Sequence, residues 1–161
     1  ERGYFYENHN ANNYKQIIGE DLRFVQDNIS CSKKNILRGL HFQEKNPQGK
    51  LVSVVRGSVY DVAVDLREGS NTFLKTFGLE LSSKNHKQLW IPPGFAHGFL
   101  SLADNTMVHY KCTDFYTPEF EKTIVWNDET LSINWLIQDP LISEKDALGL
   151  TCKELFCIRN E

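Results

Sequence analysis

Apolar and polar residues alternate in short runs through the middle of the chain, with turn residues between the runs. A side-chain period of two is typical of strands that bury one face, so we predict a mostly β protein. The predicted strands cover residues 51–55, 59–66, 72–81, 88–91, 98–102 and 106–116. Short strands in this number and at this spacing indicate a sandwich or a barrel.

A tight turn separates the first two predicted strands. Arg56 and Gly57 lie between residues 51–55 and residues 59–66, and the second run ends at the loop 67–70. Because a short connection that contains Gly is typical of a hairpin, we predict that these two strands pair with each other.

The strand at residues 59–66 carries apolar side chains on both of its faces. Alternation puts Val59, Asp61, Ala63 and Asp65 on one face and Tyr60, Val62, Val64 and Leu66 on the other. Asp61 is therefore expected in a partly buried setting. The same alternation places Tyr110 on one face of its strand with Val108 and Cys112.

Helices are predicted only at the carboxyl end of the chain, around residues 143–156. Ser143 can cap a first turn that contains Glu144 and Asp146, since a serine hydroxyl accepts hydrogen bonds from free amides at a helix start. With 161 residues, of which 40% are hydrophobic, the chain is long enough for one core and too short for two ordinary domains. We expect a single domain.

Composition narrows the range of partners. A net charge of −3 and a pI near 6.0 argue against a general nucleic-acid binder, which usually displays excess Lys and Arg. No apolar run approaches the roughly 20 residues of a membrane-spanning helix, so we expect no membrane partner. Cys31, Cys112, Cys152 and Cys157 form no C-x-x-C pair, and we expect reduced thiols in a cytoplasmic protein.

Two of the five histidines stand in informative contexts. His41 follows Arg38 and Gly39 in RGLHFQ, a mixture that suits an anionic, polar ligand. His97 ends the P-x-G-x-x-H turn of the cupin barrels, in which this His binds metal. A metal site also needs an upstream H-x-H followed by a carboxylate, and position 43 is Gln. We therefore expect no metal, and keep a metal-binding cupin as an alternative.

Six segments together resemble the dTDP-4-dehydrorhamnose 3,5-epimerase family, and the similarity runs in unbroken order from residue 1 to residue 146. They are RGLHFQ (38–43), GKLVSVVRGSVYDVAVDLREGS (49–70), LWIPPGFAHGFLSL (89–102), YKCTDFYTPEFE (110–121), WND (126–128) and SEKD (143–146). This resemblance implies a double-stranded β-helix, a cupin-like jelly-roll barrel, in a homodimer without metal or organic cofactor. The domain would span 1–161 and lack the family's N-terminal strand-forming segment.

The resemblance also implies a reaction, the inversion of carbons 3 and 5 of dTDP-4-keto-6-deoxyglucose to give dTDP-4-keto-rhamnose. Hydrogens beside a ketone are weak acids, so their removal needs a placed base and a group that stabilises the enolate oxygen. His41 matches the family's base, and Asp146 the carboxylate that orients it. Lys50 matches the cation near the keto oxygen, and Tyr110 the acid that returns a proton from the opposite face.

Further residues match family positions that contact the substrate. His97 and Asp61 align with a second His and Asp, which we expect to pair and position the sugar. Phe115, commonly Tyr in the family, and Tyr116 lie beside the nucleotide. Positions that contact the nucleotide are matched by Arg2, Glu7, Gln26, Asp27, Asn28, Arg38, Glu121 and Lys145. Arg2 and Arg38 are the leading candidates for the diphosphate, because a guanidinium forms bidentate bonds with phosphate.

Two alternatives stay open at this point. A related enzyme that inverts a single carbon of another 4-keto-deoxysugar nucleotide would use the same residues. A non-catalytic sugar-binding protein or metal-dependent cupin would not need His41, Lys50, Tyr110 and Asp146 together. Taken singly, each of these four is more often a structural or surface residue.

Overall fold

Strands dominate the structure, a computed structural model that describes residues 2–19 and 23–156. The strands are β1 (Gln26–Ser32), β2 (Leu37–Gln43), β3 (Lys50–Arg56), β4 (Ser58–Asp65), β5 (Thr76–Ser82), β6 (Gln88–Ile91), β7 (Phe95–Ser101), β8 (Thr106–Cys112) and β9 (Glu121–Thr123). The helices are α1 (Ala11–Ile18), α2 (Glu144–Ala147) and α3 (Cys152–Phe156), with a 3-10 turn at Pro118–Phe120.

These strands form two antiparallel sheets. One sheet has the order β1-β8-β3-β6 and the other has the order β5-β4-β7-β2-β9. The sheets pack face to face with apolar side chains between them, the arrangement of a jelly-roll barrel. The predicted cupin-like, mainly β fold is confirmed.

The hairpin predicted around Arg56 and Gly57 is wrong. Strand β3 pairs with β6 and β8, whereas β4 pairs with β5 and β7, so the chain crosses from one sheet to the other at this turn. Gly57 has φ +79°, and a Cβ atom there would lie 2.4 Å from the Thr106 hydroxyl oxygen. Gly57 thus lies at a corner where the chain passes from one sheet to the other. The backbone there needs a left-handed conformation and leaves no space for a side chain.

Several predicted boundaries shift in the structure. The prediction for 88–91 is confirmed, and those for β3 and β4 hold within one residue. The strand predicted at 72–81 begins only at Thr76, because the Asp65 carboxylate accepts hydrogen bonds from Ser70 and Thr72 and folds that stretch into a loop. Strand β7 begins three residues before the prediction, and β8 ends four residues before it.

Strands β1, β2 and β9 and helix α1 were not predicted. Helix α1 begins after Asn10, whose side chain accepts a hydrogen bond from the Asn12 amide, and it buries none of its residues. The prediction that helices occur only at the carboxyl end is therefore wrong. A helix without a buried face gives a weak periodic signal, which explains the omission.

The five-stranded sheet separates two apolar clusters, so both faces of β4 are buried as predicted. Val59 and Ala63 point between the sheets, and Asp61, on the same face, is fully rather than partly buried. Val62 and Val64 point to the outer face, where the carboxyl-terminal segment covers them. That outer cluster contains Leu37, Leu40, Ala96, Leu100, Ile124, Leu131, Trp135 and Cys152.

The carboxyl-terminal helices are confirmed in position but divide into two short pieces. The Ser143 hydroxyl accepts a hydrogen bond from the Asp146 amide at 3.1 Å, which is the predicted cap of α2. In the part of the chain that the structure describes, no helix combines the length and apolar character needed to span a bilayer.

Candidate active site

Two histidines lie opposite each other on the paired antiparallel strands β2 and β7. His41 and His97 are register partners in the antiparallel pair, next to an irregularity in β2. At that irregularity Gly39 has φ +114°, and a Cβ atom there would lie 2.6 Å from the Gly98 Cα atom. A glycine at each of these two positions lets the strands approach closely enough to bring both imidazoles to the same cavity.

His41 is held by a carboxylate from a distant part of the chain. Its Nε2 atom lies 2.6 Å from Oδ1 of Asp146, which stands in the capped first turn of α2. Burial alone would raise the pKa of the Asp146 carboxyl, but the His41 hydrogen bond and charge and the Gly39 amide outweigh it and hold the pKa below its ordinary value. Asp146 thus stays ionised and favours an imidazole that can accept a proton.

His97 forms a second and more deeply buried pair. Its Nε2 atom lies 3.0 and 3.1 Å from the two carboxylate oxygens of Asp61, on the neighbouring strand β4. The His97 side chain is 6% exposed and that of Asp61 is fully buried, whereas the His41 side chain is 28% exposed. The structure therefore brings together both pairs expected from the sequence.

Lys50 and Tyr110 face these histidines from the opposite sheet, on β3 and β8. Burial lowers the pKa of Lys50, although the charges of Cys112, Glu121 and Asp61 act in the other direction. Burial raises the pKa of the Tyr110 hydroxyl, which keeps it protonated and able to donate a proton. Among the described residues, the structure records no hydrogen-bond partner for the Lys50 ammonium.

Two adjoining cavities share His41, Lys50 and Tyr110. The inner one, of about 170 Å³, is lined by Ser30, Arg38, His41, Lys50, His97, Gly98, Phe99 and Tyr110. The outer one, of about 310 Å³, is lined by Gln26, Asn28, His41, Gln48, Lys50, Tyr110, Tyr116 and Glu121. A ligand that extends through both cavities would therefore contact the three shared side chains.

Polar side chains at the outer cavity already bind one another. Glu121 accepts hydrogen bonds from the Tyr116 hydroxyl, at 2.7 Å, and from the Lys145 ammonium. The hydrogen bond to Glu121 raises the pKa of Tyr116 to about 12. On the facing sheet the Gln26 amide donates to Asn28 at 3.1 Å. This end of the site offers neutral and charged groups suited to a heterocyclic base.

Four of the sequence-predicted contacts neither line a cavity nor hydrogen-bond through their side chains to a residue that does, as Asp61 and Lys145 do. Asp27 lies on the outer face of β1, because alternation points Gln26 and Asn28 inward, and it binds the Lys111 ammonium at 2.8 Å. Arg2 and Glu7 lie in the amino-terminal segment, where Glu7 accepts hydrogen bonds from Asn10 and Asn13. Phe115 is 62% exposed beside Tyr116. Ligand roles for these four residues stay predictions.

Gln43, the residue that departs from the metal-binding pattern, forms hydrogen bonds with two loops. Its amide donates to the carbonyl oxygens of Asn46 and Phe115, and its carbonyl accepts from the Thr117 amide. Within residues 2–19 and 23–156, no three His, Cys, Asp or Glu side chains gather in a way that could hold a metal ion. The expectation of a metal-free site stays a prediction.

Sequence reasoning missed three cavity-lining side chains, Ser30, Gln48 and Phe99. Ser30 follows Gln26 and Asn28 at intervals of two, so recognising β1 as a strand would have placed it on their face. Gln48 donates to the Asp114 carbonyl at 2.8 Å, in a loop without periodic signal.

The assembled groups are a complete set for proton transfer. His41 is a base oriented by a carboxylate, Tyr110 is a protonated phenol on the facing sheet, and Lys50 is a cation that lines the same two cavities. A base and an acid on opposite walls can remove a proton from one face of a bound molecule and return one to the other. A buried cation stabilises the negative charge that develops in between.

Comparisons with known proteins agree with this geometry. The sequence profile described as dTDP-4-dehydrorhamnose 3,5-epimerase matches residues 1–154. An enzyme of that name from Pseudomonas aeruginosa is 49% identical over 158 residues, covering 98% of this chain and 87% of its own. A crystal structure of a dTDP-6-deoxy-D-glucose-3,5-epimerase from Legionella pneumophila with dTDP-4-keto-L-rhamnose matches with a TM-score of 0.91 and 50% identity, covering 94% of this chain and 81% of that one.

A solved structure of different specificity is also similar. A 3'-monoepimerase from Streptomyces bikiniensis, in complex with dTDP-quinovose, matches with a TM-score of 0.89 and 31% identity. The match covers 97% of this chain and 81% of that one. The similarity in backbone structure therefore extends to an enzyme whose name describes epimerisation at one position only.

Proposed function

The chain belongs to the dTDP-4-dehydrorhamnose 3,5-epimerase family, and we propose how its residues perform that reaction. The protein is an isomerase that converts dTDP-4-keto-6-deoxyglucose to dTDP-4-keto-rhamnose, in the biosynthesis of dTDP-rhamnose. The single observation that supports the proposed roles is the 2.6 Å contact of His41 with Asp146 in a cavity that also contains Tyr110 and Lys50.

In the first step, His41 removes the proton from a carbon next to the 4-keto group. The electron pair of the broken C–H bond forms a double bond to carbon 4, and the carbonyl electron pair moves onto the oxygen to give an enolate. The Lys50 ammonium stabilises the negative charge on that oxygen. Asp146 stabilises the imidazolium that forms, because its carboxylate is ionised and in direct contact with the ring.

In the second step, Tyr110 donates a proton to the same carbon from the opposite face. Inversion requires this two-sided access, since a base that returned its own proton would regenerate the starting configuration. His97 and Asp61 hold the sugar in place, and the Tyr110 ring packs edge-on against the His97 ring, with centroids 6.4 Å apart. After carbon 3 or carbon 5 has inverted, the His41 imidazolium loses its proton to solvent and the Tyr110 phenolate regains one from solvent, and the same residues then act at the other carbon.

The nucleoside occupies the outer cavity in this proposal, and the diphosphate lies beside Arg38, which lines the adjoining inner cavity. Gln26, Asn28, Tyr116, Glu121 and Lys145 supply hydrogen bonds at the outer end, and the Arg38 guanidinium binds the diphosphate. Neither metal nor organic cofactor takes part.

We also propose that the protein works as a homodimer in the cytoplasm. Four large apolar side chains are strongly exposed in or near the four-stranded sheet: Tyr4 at 71%, Phe5 at 98%, Ile29 at 64% and Val55 at 49%. Burial of such side chains against a second copy would stabilise the association. Sedimentation at micromolar concentration would show a dimer, and a Phe5→Ser, Ile29→Ser variant would sediment as a monomer.

Incubation of the protein with dTDP-4-keto-6-deoxyglucose in heavy water, followed by NMR, tests the function. Deuterium at both carbon 3 and carbon 5, with the rhamno configuration in the product, is the expected result. Deuterium at one carbon alone would favour the single-position alternative. Absence of exchange and product would contradict epimerase activity.

A further inference from the structure

Ser30 carries a buried hydroxyl that the proposed function has not used. It lies on the inward face of β1, opposite Val108 of β8, and it lines the inner cavity. Its Oγ atom is buried and has no hydrogen-bond partner among the described protein atoms, a property it shares there only with Nε2 of His9. A buried hydroxyl without a partner costs free energy, and native structures usually avoid it unless a ligand or water supplies the bond.

The other inward side chains of β1 have partners. Gln26 and Asn28 bind each other at 3.1 Å, and the Asn28 amide also donates to Cys112 Sγ at 3.5 Å. The Ser32 hydroxyl accepts a hydrogen bond from Nε of Arg38 at 3.1 Å. Ser30, between Asn28 and Ser32 on the same face, is the member of this row whose hydrogen-bonding capacity is still free.

The surroundings of Ser30 indicate which kind of ligand group would form a hydrogen bond with its hydroxyl. Ser32 fixes the inner nitrogen of Arg38, and the structure records no hydrogen bond from the terminal amino groups of that guanidinium to a described residue. The proposed function assigns Lys50, the other cation that lines this cavity, to the enolate oxygen, so Arg38 is the cation available beside Ser30. A guanidinium with free donors next to a free hydroxyl favours an acceptor that carries negative charge.

We propose that Ser30 is a substrate-binding residue whose hydroxyl donates a hydrogen bond to a phosphoryl oxygen of the substrate's diphosphate, beside Arg38. This inference rests on the proposed function, because it takes the nucleotide sugar as the ligand. Arg38 supplies charge and Ser30 supplies a short, rigidly placed donor. Ser32 is a positioning residue that sets the direction of the guanidinium.

The experiment compares Ser30→Ala with the wild type in calorimetric titrations with dTDP and with thymidine. Loss of a hydrogen bond to a charged oxygen should weaken dTDP binding about 10-fold or more and leave thymidine affinity unchanged. In steady-state kinetics the KM for the nucleotide sugar should rise by a similar factor, with a smaller change in kcat.

Ser53→Ala is the matched control. Ser53 is a buried strand serine on the outer face of the same sheet, where its hydroxyl donates to the His109 carbonyl at 3.2 Å. This variant removes one hydroxyl from the same sheet outside the cavity, and its dTDP affinity should equal that of the wild type. Thermal unfolding of both variants shows that any loss of affinity occurs in folded protein.

Unchanged dTDP affinity in Ser30→Ala would overturn the proposal. If dTDP binding were unchanged and only the KM for the complete nucleotide sugar rose, the hydroxyl would bind the sugar instead. Equal loss of thymidine and dTDP affinity would show a general distortion of the site and would also overturn it. Failure of the wild type to bind dTDP or to exchange deuterium would instead contradict the proposed function itself.

Discussion

Two His–Asp pairs lie side by side in this barrel, and they differ in exposure rather than in chemistry. The His41–Asp146 pair joins β2, next to the short edge strand β9, to helix α2, and its imidazole is 28% exposed. The His97–Asp61 pair lies between the central strands β7 and β4, and its side chains are 6% and 0% exposed. The same two residue types can therefore make a base in one place and a rigid support in the other.

The surroundings of each pair explain this difference. A base has to exchange protons with a ligand and then with solvent, so it needs one accessible ring nitrogen. A support needs the opposite, since a buried imidazole bound to a carboxylate keeps one orientation. If this comparison is correct, substitutions at the first pair reduce catalysis more than stability, and substitutions at the second pair do the reverse.

The largest expected effect belongs to His41→Ala. Removal of the base should lower kcat by about 10³-fold or more and abolish deuterium exchange, since a placed base contributes about 10²- to 10⁴-fold. Affinity for dTDP should stay close to that of the wild type. Single-turnover NMR and calorimetry measure the two quantities, and normal exchange in this variant would refute the assignment of the base.

Asp146→Asn should have the next largest effect. The amide can still contact His41 but no longer stabilises a positive imidazole, so we expect kcat to fall about 10²-fold with KM nearly unchanged. The Ser143 cap of α2 remains available, which limits any loss of stability. A variant with wild-type kcat would show that His41 does not depend on its carboxylate.

His97→Ala should reduce stability more than catalysis, which is the opposite of the effect expected for His41→Ala. It leaves Asp61 buried without its partner, which should reduce the free energy of unfolding by about 3 kcal/mol. The kcat of the protein that remains folded should fall by no more than about 10-fold, well below the effect at His41. Asp61→Asn, which keeps a hydrogen-bonding group opposite His97, should unfold at a temperature between those of His97→Ala and the wild type. Equal unfolding temperatures for His97→Ala and His41→Ala would contradict the comparison.

The smallest expected effect is a shift in a pH profile. Burial lowers the pKa of Lys50 below its ordinary value of 10.5, so its positive charge is lost as the pH rises through that lowered pKa. Activity should therefore fall on the alkaline side before pH 10.5, and Lys50→Arg should move that fall to higher pH. An unchanged alkaline limb in the variant would show that another group controls it.

Sequence patterns predicted six of the nine strands in the described residues but not how they connect. Alternation correctly gave β4 two buried faces, because side-chain direction follows directly from a period of two. The turn at Gly57 gave the wrong pairing, since a short glycine turn fits both a hairpin and a corner between two sheets. Only the packing of Gly57 against Thr106 distinguishes them.

The candidate site was predicted more unevenly. Local context drew attention to His41 and His97, but the residues alone did not reveal that Asp146 would reach His41 from 105 positions away. The resemblance to the family supplied that pair. Asp27 lies on the outer face of a strand that was not predicted, and Ser30 was overlooked on its inner face, because the placement of both residues depends on β1.

In the proposed mechanism, protons leave the sugar toward His41 and arrive from Tyr110 on the other side. The decisive experiment incubates Tyr110→Phe with dTDP-4-keto-6-deoxyglucose in heavy water and follows the sugar by NMR over time. We expect deuterium still to enter beside the ketone while formation of the inverted product falls strongly. Inverted product forming at the wild-type rate would contradict this mechanism.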